Sequence, residues 1–532
     1  MAAGWHYAGY GLRMRRALAY DIGPRARNKP AWRAQERFFP APTQGMDTDS
    51  PVAELPTTLA RRLENWIPKG VSLEMRKGWS PWVTGNADAV ETIMAYVAGG
   101  TSALFAAADD SIYNITSTGA IGAAVVGSLT SARFSYVNFT TSGGAFLWIC
   151  NGADDPRHWN GTTWATPSLT VTTFTDNDII HVSAFKERLF FLFKDSLTFG
   201  YLATQAIAGT VSNFPLGAVF AYGGRLLDSA SLSRDGGDGL DDLKVFLTSE
   251  GEIAVYQGTN PGSATEWALV GTYYVGEPIG DRPLVELGDD LGVITLNGLV
   301  SVKTIMAGSQ QETPPLSARI GTAWQEASAT GRGFDGWEGI WVPSEDLLLI
   351  NAPDSATTAE QFIRHRVTGG WSKFTGWDFL CYEFYEGRLY AGSASGEIVR
   401  CFDGYDDNGS DITAAIDTAW STLGVAQNKT LLEVRTVATT TTRAAYRLVA
   451  RTDFEEHPAL PAFPTSTLTN ACIWGTGLWG THLWGGQDST SHQWRAISGD
   501  GFSVSLIMES RSNQSRFALN GWTLRFAVGG QV

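Results

Sequence analysis

The residues best suited to chemistry crowd into one loop. Asp235-Gly236-Gly237-Asp238-Gly239-Leu240-Asp241-Asp242 sets four carboxylates among three glycines, and spaced carboxylates on a pliable loop are what a hard cation such as Ca²⁺ requires. The D-x-[DN]-x-[DN]-G spacing and closing glutamate of a calcium loop are both absent, which leaves a solvated loop as the plainer reading and Ca²⁺ as the alternative. The seven histidines (His6, His158, His181, His365, His457, His482, His492) contain no H-E-x-x-H or i, i+4 pair that would put two ligands on one helix face. There is no G-x-S-x-G elbow and no G-x-x-x-x-G-K-[ST] phosphate loop. Two G-x-G-x-x-G strings, Gly331 to Gly336 and Gly475 to Gly480, neither follow a strand nor open a helix, so in a chain with 59 glycines they read as chance. Cys150, Cys381, Cys401 and Cys472 are too dispersed for a zinc framework or a disulfide scaffold. This pattern points away from an enzyme and names no catalytic residue, metal set or cofactor.

The elements that would position any site are strands. Seven strand-turn-strand signals recur between residues 100 and 405, with almost nothing helical between them. Their turns are Asp109-Asp110, Asn160-Gly161, Lys194-Asp195, Glu250-Gly251, Asn297-Gly298, Asp354-Ser355 and Ser395-Gly396. Asn-Gly and Glu-Gly supply the positive backbone angles of tight hairpins. The flanking runs are β-branched and aromatic, as in Leu189 to Phe193, Val245 to Leu247, Ile253 to Tyr256 and Val293 to Leu296. The turns lie roughly 34–56 residues apart, against about 40–50 for a four-stranded propeller blade. The expected fold is all-β, a β-propeller of about six or seven irregular blades; a large β protein of another kind fits the same segments. Ser233-Arg234-Asp235-Gly236-Gly237 is similar to the Asp-box turn of sialidase-like propellers, but Gly239-Leu240 stands where Thr-Trp would end it.

Charge is uneven along the 532 residues, whose net charge is −15. Residues 1–40 hold Arg13, Arg15, Arg16, Arg25, Arg27, Lys29, Arg33 and Arg37 against Asp21 and Glu36, so 8 − 2 gives +6 and the remainder carries −15 − 6 = −21. Such an acidic body opposes a nucleic-acid clamp, which gains affinity by neutralising phosphates, but suits a surface that DNA slides past. No run of 18 apolar residues suggests a membrane span. The N-terminus lacks the apolar segment of a secretory signal, so assembly in a reducing cytoplasm is expected.

Four regions follow. Residues 1–50 form a basic, Pro-rich arm whose Trp32, Phe38 and Phe39 favour ordering against a neighbouring subunit over a solvated tail. Residues 51–100 lead into the propeller, with a short helix or turn expected near Pro56 to Trp66. Residues 101–405 are the propeller, and the Asp403 to Asp411 loop reads as a hinge. Residues 406–532 form a separate β region with strands near Leu431 to Val437, Ala445 to Ala450, Phe502 to Met508 and Trp522 to Val528. Within it Trp474, Trp479 and Trp484 recur at a spacing of five beside glycines, either as a packed corner or as a subunit interface, where tryptophan is enriched.

The order of these segments resembles the tail nozzle proteins of short-tailed bacteriophages, the tail tubular protein B-like or DNA-stabilisation tail hub family. Asn65-Trp66-Ile67-Pro68 followed by Leu73-Glu74-Met75-Arg76-Lys77-Gly78 is similar to the family's N-terminal signature, with Lys77 where proline often stands. Asp241 to Pro261, Leu296-Asn297-Gly298-Leu299-Val300 and the tryptophan run add to it. The resemblance implies a propeller with a β-rich platform built from both chain ends. It implies a hexameric virion tail tube below the head-to-tail adaptor, retaining and conducting DNA, with tail fibre or needle proteins as partners and only transient DNA contact. Six copies would carry 6 × (−15) = −90. On that basis Asp235, Asp238, Asp241 and Asp242 are expected to line or close the bore. Arg13, Arg15, Arg16, Arg25, Arg27, Trp32, Arg33 and Arg37 are expected to dock on the adaptor or the next subunit. The rival reading is a tail-associated carbohydrate-binding or glycan-cleaving propeller.

Overall fold

The computed structural model describes residues 34–233, 242–308, 314–440, 445–455, 459–463, 471–472, 483–484, 489–491, 494–512 and 515–529. Strands dominate, because apolar β-branched and aromatic runs alternate with glycine-bearing turns. At the Glu250-Gly251 turn, Gly251 sits at φ 81° and a Cβ there would lie 2.2 Å from the Gly276 carbonyl oxygen. Only glycine fits both demands.

Six four-stranded antiparallel blades and one short three-stranded sheet close into a ring, so the fold is an all-β propeller. The first blade comprises Val90–Ala98, Thr101–Ala108, Ser111–Asn114 and Ala124–Val126, and the second Ser135–Thr141, Gly144–Cys150, Arg157–Trp159 and Trp164–Ala165. The third comprises Ile179–Phe185, Arg188–Phe193, Thr198–Tyr201 and Ser212–Pro215, and the fourth Leu226–Leu232, Leu243–Thr248, Glu252–Gly258 and Trp267–Tyr274. The short sheet holds Leu284–Glu286, Leu291–Thr295 and Gly298–Ser301. Glu338–Val342, Leu347–Pro353, Ala359–His365 and Trp371–Phe374 make the fifth blade. The sixth takes Phe379–Tyr385, Arg388–Ser393 and Ile398–Cys401 from the end of the propeller and Trp79–Thr84 from its start. That shared blade removes the free edges a sheet would otherwise leave where the ring opens. Between blades the contacts are apolar and aromatic, as where Phe199 stacks on Phe246 at 4.5 Å.

The platform is a β-sandwich drawn from both chain ends. One sheet orders Ala60–Glu64, Ile412–Thr418, Val504–Ser512 and Ala445–Thr452, and Glu64 pairs with Lys373 to continue it into the fifth blade. The facing sheet sets Ala34–Pro40, Leu73–Met75 and Lys429–Thr440 against Phe517–Val528. Trp66, Phe517, Trp522 and Phe526 from the second sheet bury against Ile416, Leu506 and Met508 from the first.

Three expectations change. The Pro56 to Trp66 segment opens on the expected turn, where the Leu59 N–H donates to the Pro56 carbonyl (2.9 Å), but then runs as a strand, Ala60–Glu64, because Leu63 pairs with Ile416 in the first platform sheet, a tertiary contact that overrides local propensity. The propeller region does contain helices, Val302–Ala307 and Gly321–Gly331. Gly331 ends the second where a Cβ would lie 1.8 Å from the Pro353 carbonyl oxygen, which gives that glycine string a packing role.

The Asp403 to Asp411 loop, read as a hinge, is pinned. Arg76 is 1 % exposed and its guanidinium spends all five N–H donors: Nε on Asn65 Oδ1 (2.8 Å), Nη1 on Asp407 Oδ1 (2.8 Å) and the Lys77 carbonyl (3.1 Å), and Nη2 on Asp407 Oδ2 (2.7 Å) and the Thr375 carbonyl (3.1 Å). Its face lies 4.9 Å from the Trp377 ring centroid. Asn65, at φ 59°, donates to the Thr413 carbonyl (2.7 Å) and so ties the same cluster to the platform. Removing one partner of such a pair strands the other, at a cost of about 3–5 kcal/mol. Arg76→Met is therefore expected to lower stability by roughly that amount, and Arg76→Met with Asp407→Asn by less than the sum of the single changes. Denaturation midpoints check it; a loss under about 1 kcal/mol for Arg76→Met would remove the joint from the structural core.

Candidate functional site: the propeller axis

The innermost strands of the blades bring together residues that are far apart in the chain. Arg282, in the connection before the short sheet, reaches inward. Its Nη1 donates to Glu338 Oε2 (2.8 Å) and its Nη2 to Thr92 Oγ1 (2.8 Å) and the Phe134 carbonyl (2.9 Å). Glu338 in turn accepts the Tyr382 N–H (2.7 Å). Arg282 and Glu338 together thus tie the first, fifth and sixth blades. Tyr136 of the second blade donates to Glu383 of the sixth, and Arg133 pairs with Asp281.

These groups split the axis into two cavities. The larger, about 750 Å³, is lined by Ser135, His181, Ser183, Asp228 and Ser229 together with Arg133, Lys194 and Arg225. A second of about 450 Å³ holds Glu338, Trp341 and Glu383. Tyr136 and Arg282 line both.

Around the larger cavity the polar contacts settle proton positions. Ser135 Oγ accepts the Val182 N–H (3.1 Å) and lies 3.1 Å from His181 Nδ1. The opposite nitrogen, Nε2–H, faces the Ser229 carbonyl (3.0 Å) and Asp228 Oδ1 (3.4 Å). Lys244, 0 % exposed, bonds Ser183 Oγ at 2.6 Å, and Ser183 Oγ lies 2.8 Å from Ser229 Oγ.

Burial displaces the proton affinities. Loss of water lowers His181 and raises Asp228. Desolvation also brings Lys244 down to about 7, against the opposing pull of Asp228. Glu383 is pushed up to about 8, by burial first and by the Glu338 charge, although Tyr136 works against it. Arg282 is held above its ordinary value because Glu338 and Asp281 more than offset its desolvation. Buried groups that exchange protons near neutrality mark this axis as the functional candidate.

Other residues stood out by composition and spacing. Asp242 binds Lys186 Nζ (2.8 Å) and accepts from Ser233 Oγ (3.1 Å), and the lysine hydrogen bond lowers its proton affinity. Asp235, Asp238 and Asp241 lie outside the described residues, as do Arg13, Arg15, Arg16, Arg25, Arg27, Trp32, Arg33, Trp474 and Trp479. Arg37 is exposed on Ala34–Pro40, and Trp484 lies in the short strand Leu483–Trp484. Among the described residues no three His, Cys, Asp or Glu side chains are grouped to hold a metal ion, and no helix is long and apolar enough to cross a membrane.

Comparison with known proteins adds no family. No family model matches the chain, and no curated protein does. Solved structures match about three fifths of the chain. BBS1N in complex with ARL6DN has a TM-score of 0.40 at 11% identity, covering 61% of this chain and 97% of that one. YCF48 bound to D1 peptide gives 0.38 at 9%, covering 61% and 97%. The computationally designed Ika8 protein gives 0.36 at 12%, covering 60% and 99%.

The axial carboxyl has a stability signature. Folded Glu383 keeps its proton to about pH 8, whereas the unfolded group releases it near 4.5. The folded state therefore binds more protons between those values, and stability falls as pH rises from 4.5 to 8. Glu383→Gln keeps a hydrogen-bonding side chain that cannot ionise. It is expected to flatten that decline and to raise the melting temperature above the parent's at about pH 8.5. Superimposable melting-temperature profiles for the two proteins would refute it.

Proposed function

We propose that this chain is a structural virion protein, a subunit of the tail nozzle of a short-tailed phage. It would be made in the host cytoplasm and would work by conducting DNA rather than by catalysis. The observation that carries the reading is the crossed axis. Arg282, Tyr136 and their carboxylate partners divide the propeller centre into cavities of about 750 and 450 Å³, far too small for a duplex whose major groove alone is about 12 Å wide. A DNA conduit built from this protein must therefore run between copies, with the propeller as part of its wall. A wall suits a ring closed by a shared blade and fastened to a platform holding both chain ends. The net charge of −15 per copy suits a surface that repels DNA. The resemblance carried by Asn65 to Pro68 and Leu73 to Gly78 supports the same role, and a head-to-tail adaptor and tail fibre or needle proteins are the partners it proposes. The basic arm, whose described part is the edge strand Ala34–Pro40, is the proposed contact to the adaptor or the next subunit.

A second reading, a glycan-acting tail propeller, draws support from the smaller cavity, where Glu338 and Glu383 meet Tyr136 and Trp341. Electron microscopy separates the two. The nozzle reading expects six-fold rings, alone or on the adaptor, and expects deletion of residues 1–33 to leave a folded monomer that no longer joins them. Trimers or monomers indifferent to the adaptor would sink it and turn attention to glycans.

A further inference from the structure

The larger axial cavity carries a group of residues that the nozzle role does not use. Ser183 lines the cavity and is half-buried, which places it beside any small molecule held there. Directly behind it stands Lys244, fully buried, with Nζ 2.6 Å from Ser183 Oγ. Ser229, 2 % exposed, sets a second hydroxyl 2.8 Å from the first. The lysine stem lies against aromatic faces, with Nζ 5.2 Å from the Phe190 centroid and 5.8 Å from that of Phe246. Burial away from water favours the neutral amine, against the pull of the two ring faces on the cation, and a neutral amine hydrogen-bonded to a hydroxyl is a general base beside a nucleophile.

We propose that Ser183 and Lys244 form an acyl-transfer dyad that cleaves short-chain carboxylic esters, with Ser229 as a positioning residue. Neutral Lys244 Nζ takes the hydroxyl proton as Ser183 Oγ bonds to the acyl carbon, and the carbonyl π pair moves onto its oxygen. When that pair returns, the ester C–O bond breaks and the leaving alkoxide takes the proton back from Lys244 as alcohol. Water then repeats the exchange: its proton passes to Lys244, its oxygen bonds to the acyl carbon, and Ser183 leaves with the proton while the product departs as carboxylic acid. No oxidant, metal or cofactor enters the balance. The cavity of about 750 Å³ sets the size class of the ester.

The charged groups facing Lys244 are Asp228 of the fourth blade, which favours its proton, and His181 of the third, whose own protonation Lys244 and Arg282 oppose. Activity should therefore rise through a midpoint near 7, where Lys244 becomes neutral.

The test uses the full-length protein with a fluorophosphonate probe and with p-nitrophenyl acetate. The expected result is a phosphonyl adduct mapped by mass spectrometry to Ser183, formed faster as pH rises through neutrality. Ester turnover should fall on the order of 10²-fold or more in Ser183→Ala and in Lys244→Met. Lys244→Arg, which keeps a cation but stays protonated, should abolish the adduct while circular dichroism reports a folded chain; it serves where Lys244→Met fails to fold. An adduct on any other residue, no adduct at about pH 8.5, or turnover in Ser183→Ala equal to the parent's would each overturn the dyad. Because the assay needs no ring, its failure leaves the nozzle reading standing, and loss of the ring leaves the dyad standing.

Discussion

The arrangement of propeller and platform depends on one buried guanidinium. Arg76 follows the short strand Leu73–Met75 and meets Asp407 in the loop that leaves the propeller, so the points where the chain enters and quits the ring are held by one bidentate pair. The pair is worth having because nothing about it is left over: every N–H of Arg76 has an acceptor, and Trp377 covers its face. A charge taken from water is tolerated only on those terms. The same accounting explains why Asn65 stands at a left-handed position, where its side-chain amide can face Thr413 on one side and Thr375 on the other. The string that carried the family resemblance is therefore the string that builds the joint.

The propeller axis follows a different logic. Inner strands converge there, and their side chains have little room and little water. The chain places paired ions and hydroxyls there beside a few leucines, and Arg282 reaches the first and fifth blades while its partner Glu338 carries the link on to the sixth. Satisfied polar networks rigidify a core, whereas unsatisfied ones are costly. Rigidity suits a wall element, while near-neutral proton affinities at Lys244 and Glu383 leave the same place chemically responsive.

Much of the architecture could be read from turns alone. Each of the seven turn signals falls in a different sheet, and six of them join the second and third strands. Asn160-Gly161 instead joins the third and fourth strands of its blade, which explains why the spacing looked irregular at that point. Local chemistry could not show that Ala60–Glu64 is a strand, since its partner lies beyond residue 400. The axial site was illegible for the same reason: Ser135, His181, Ser183, Asp228 and Lys244 share no motif, and only ring closure assembles them. One signal was present, a lysine inside the otherwise apolar run Leu243-Lys244-Val245-Phe246-Leu247. A charge in a strand that reads as fully buried has to have a partner, and here the partner is Ser183.

The shared platform has a consequence in time. Ala34–Pro40 and Leu73–Met75 are made long before the strand they pair with, Phe517–Val528, which begins 517 − 75 = 442 residues after Met75. At about 5–20 residues per second, the early strands wait on the order of half a minute or more with apolar faces and open edges. Trp79–Thr84 waits likewise for Ile398–Cys401. The nascent chain is therefore exposed to mispairing through that interval, and a copy that stops before Phe517 lacks the closing strand of its platform. Incomplete copies are thus barred from the finished fold, a form of quality control written into strand order.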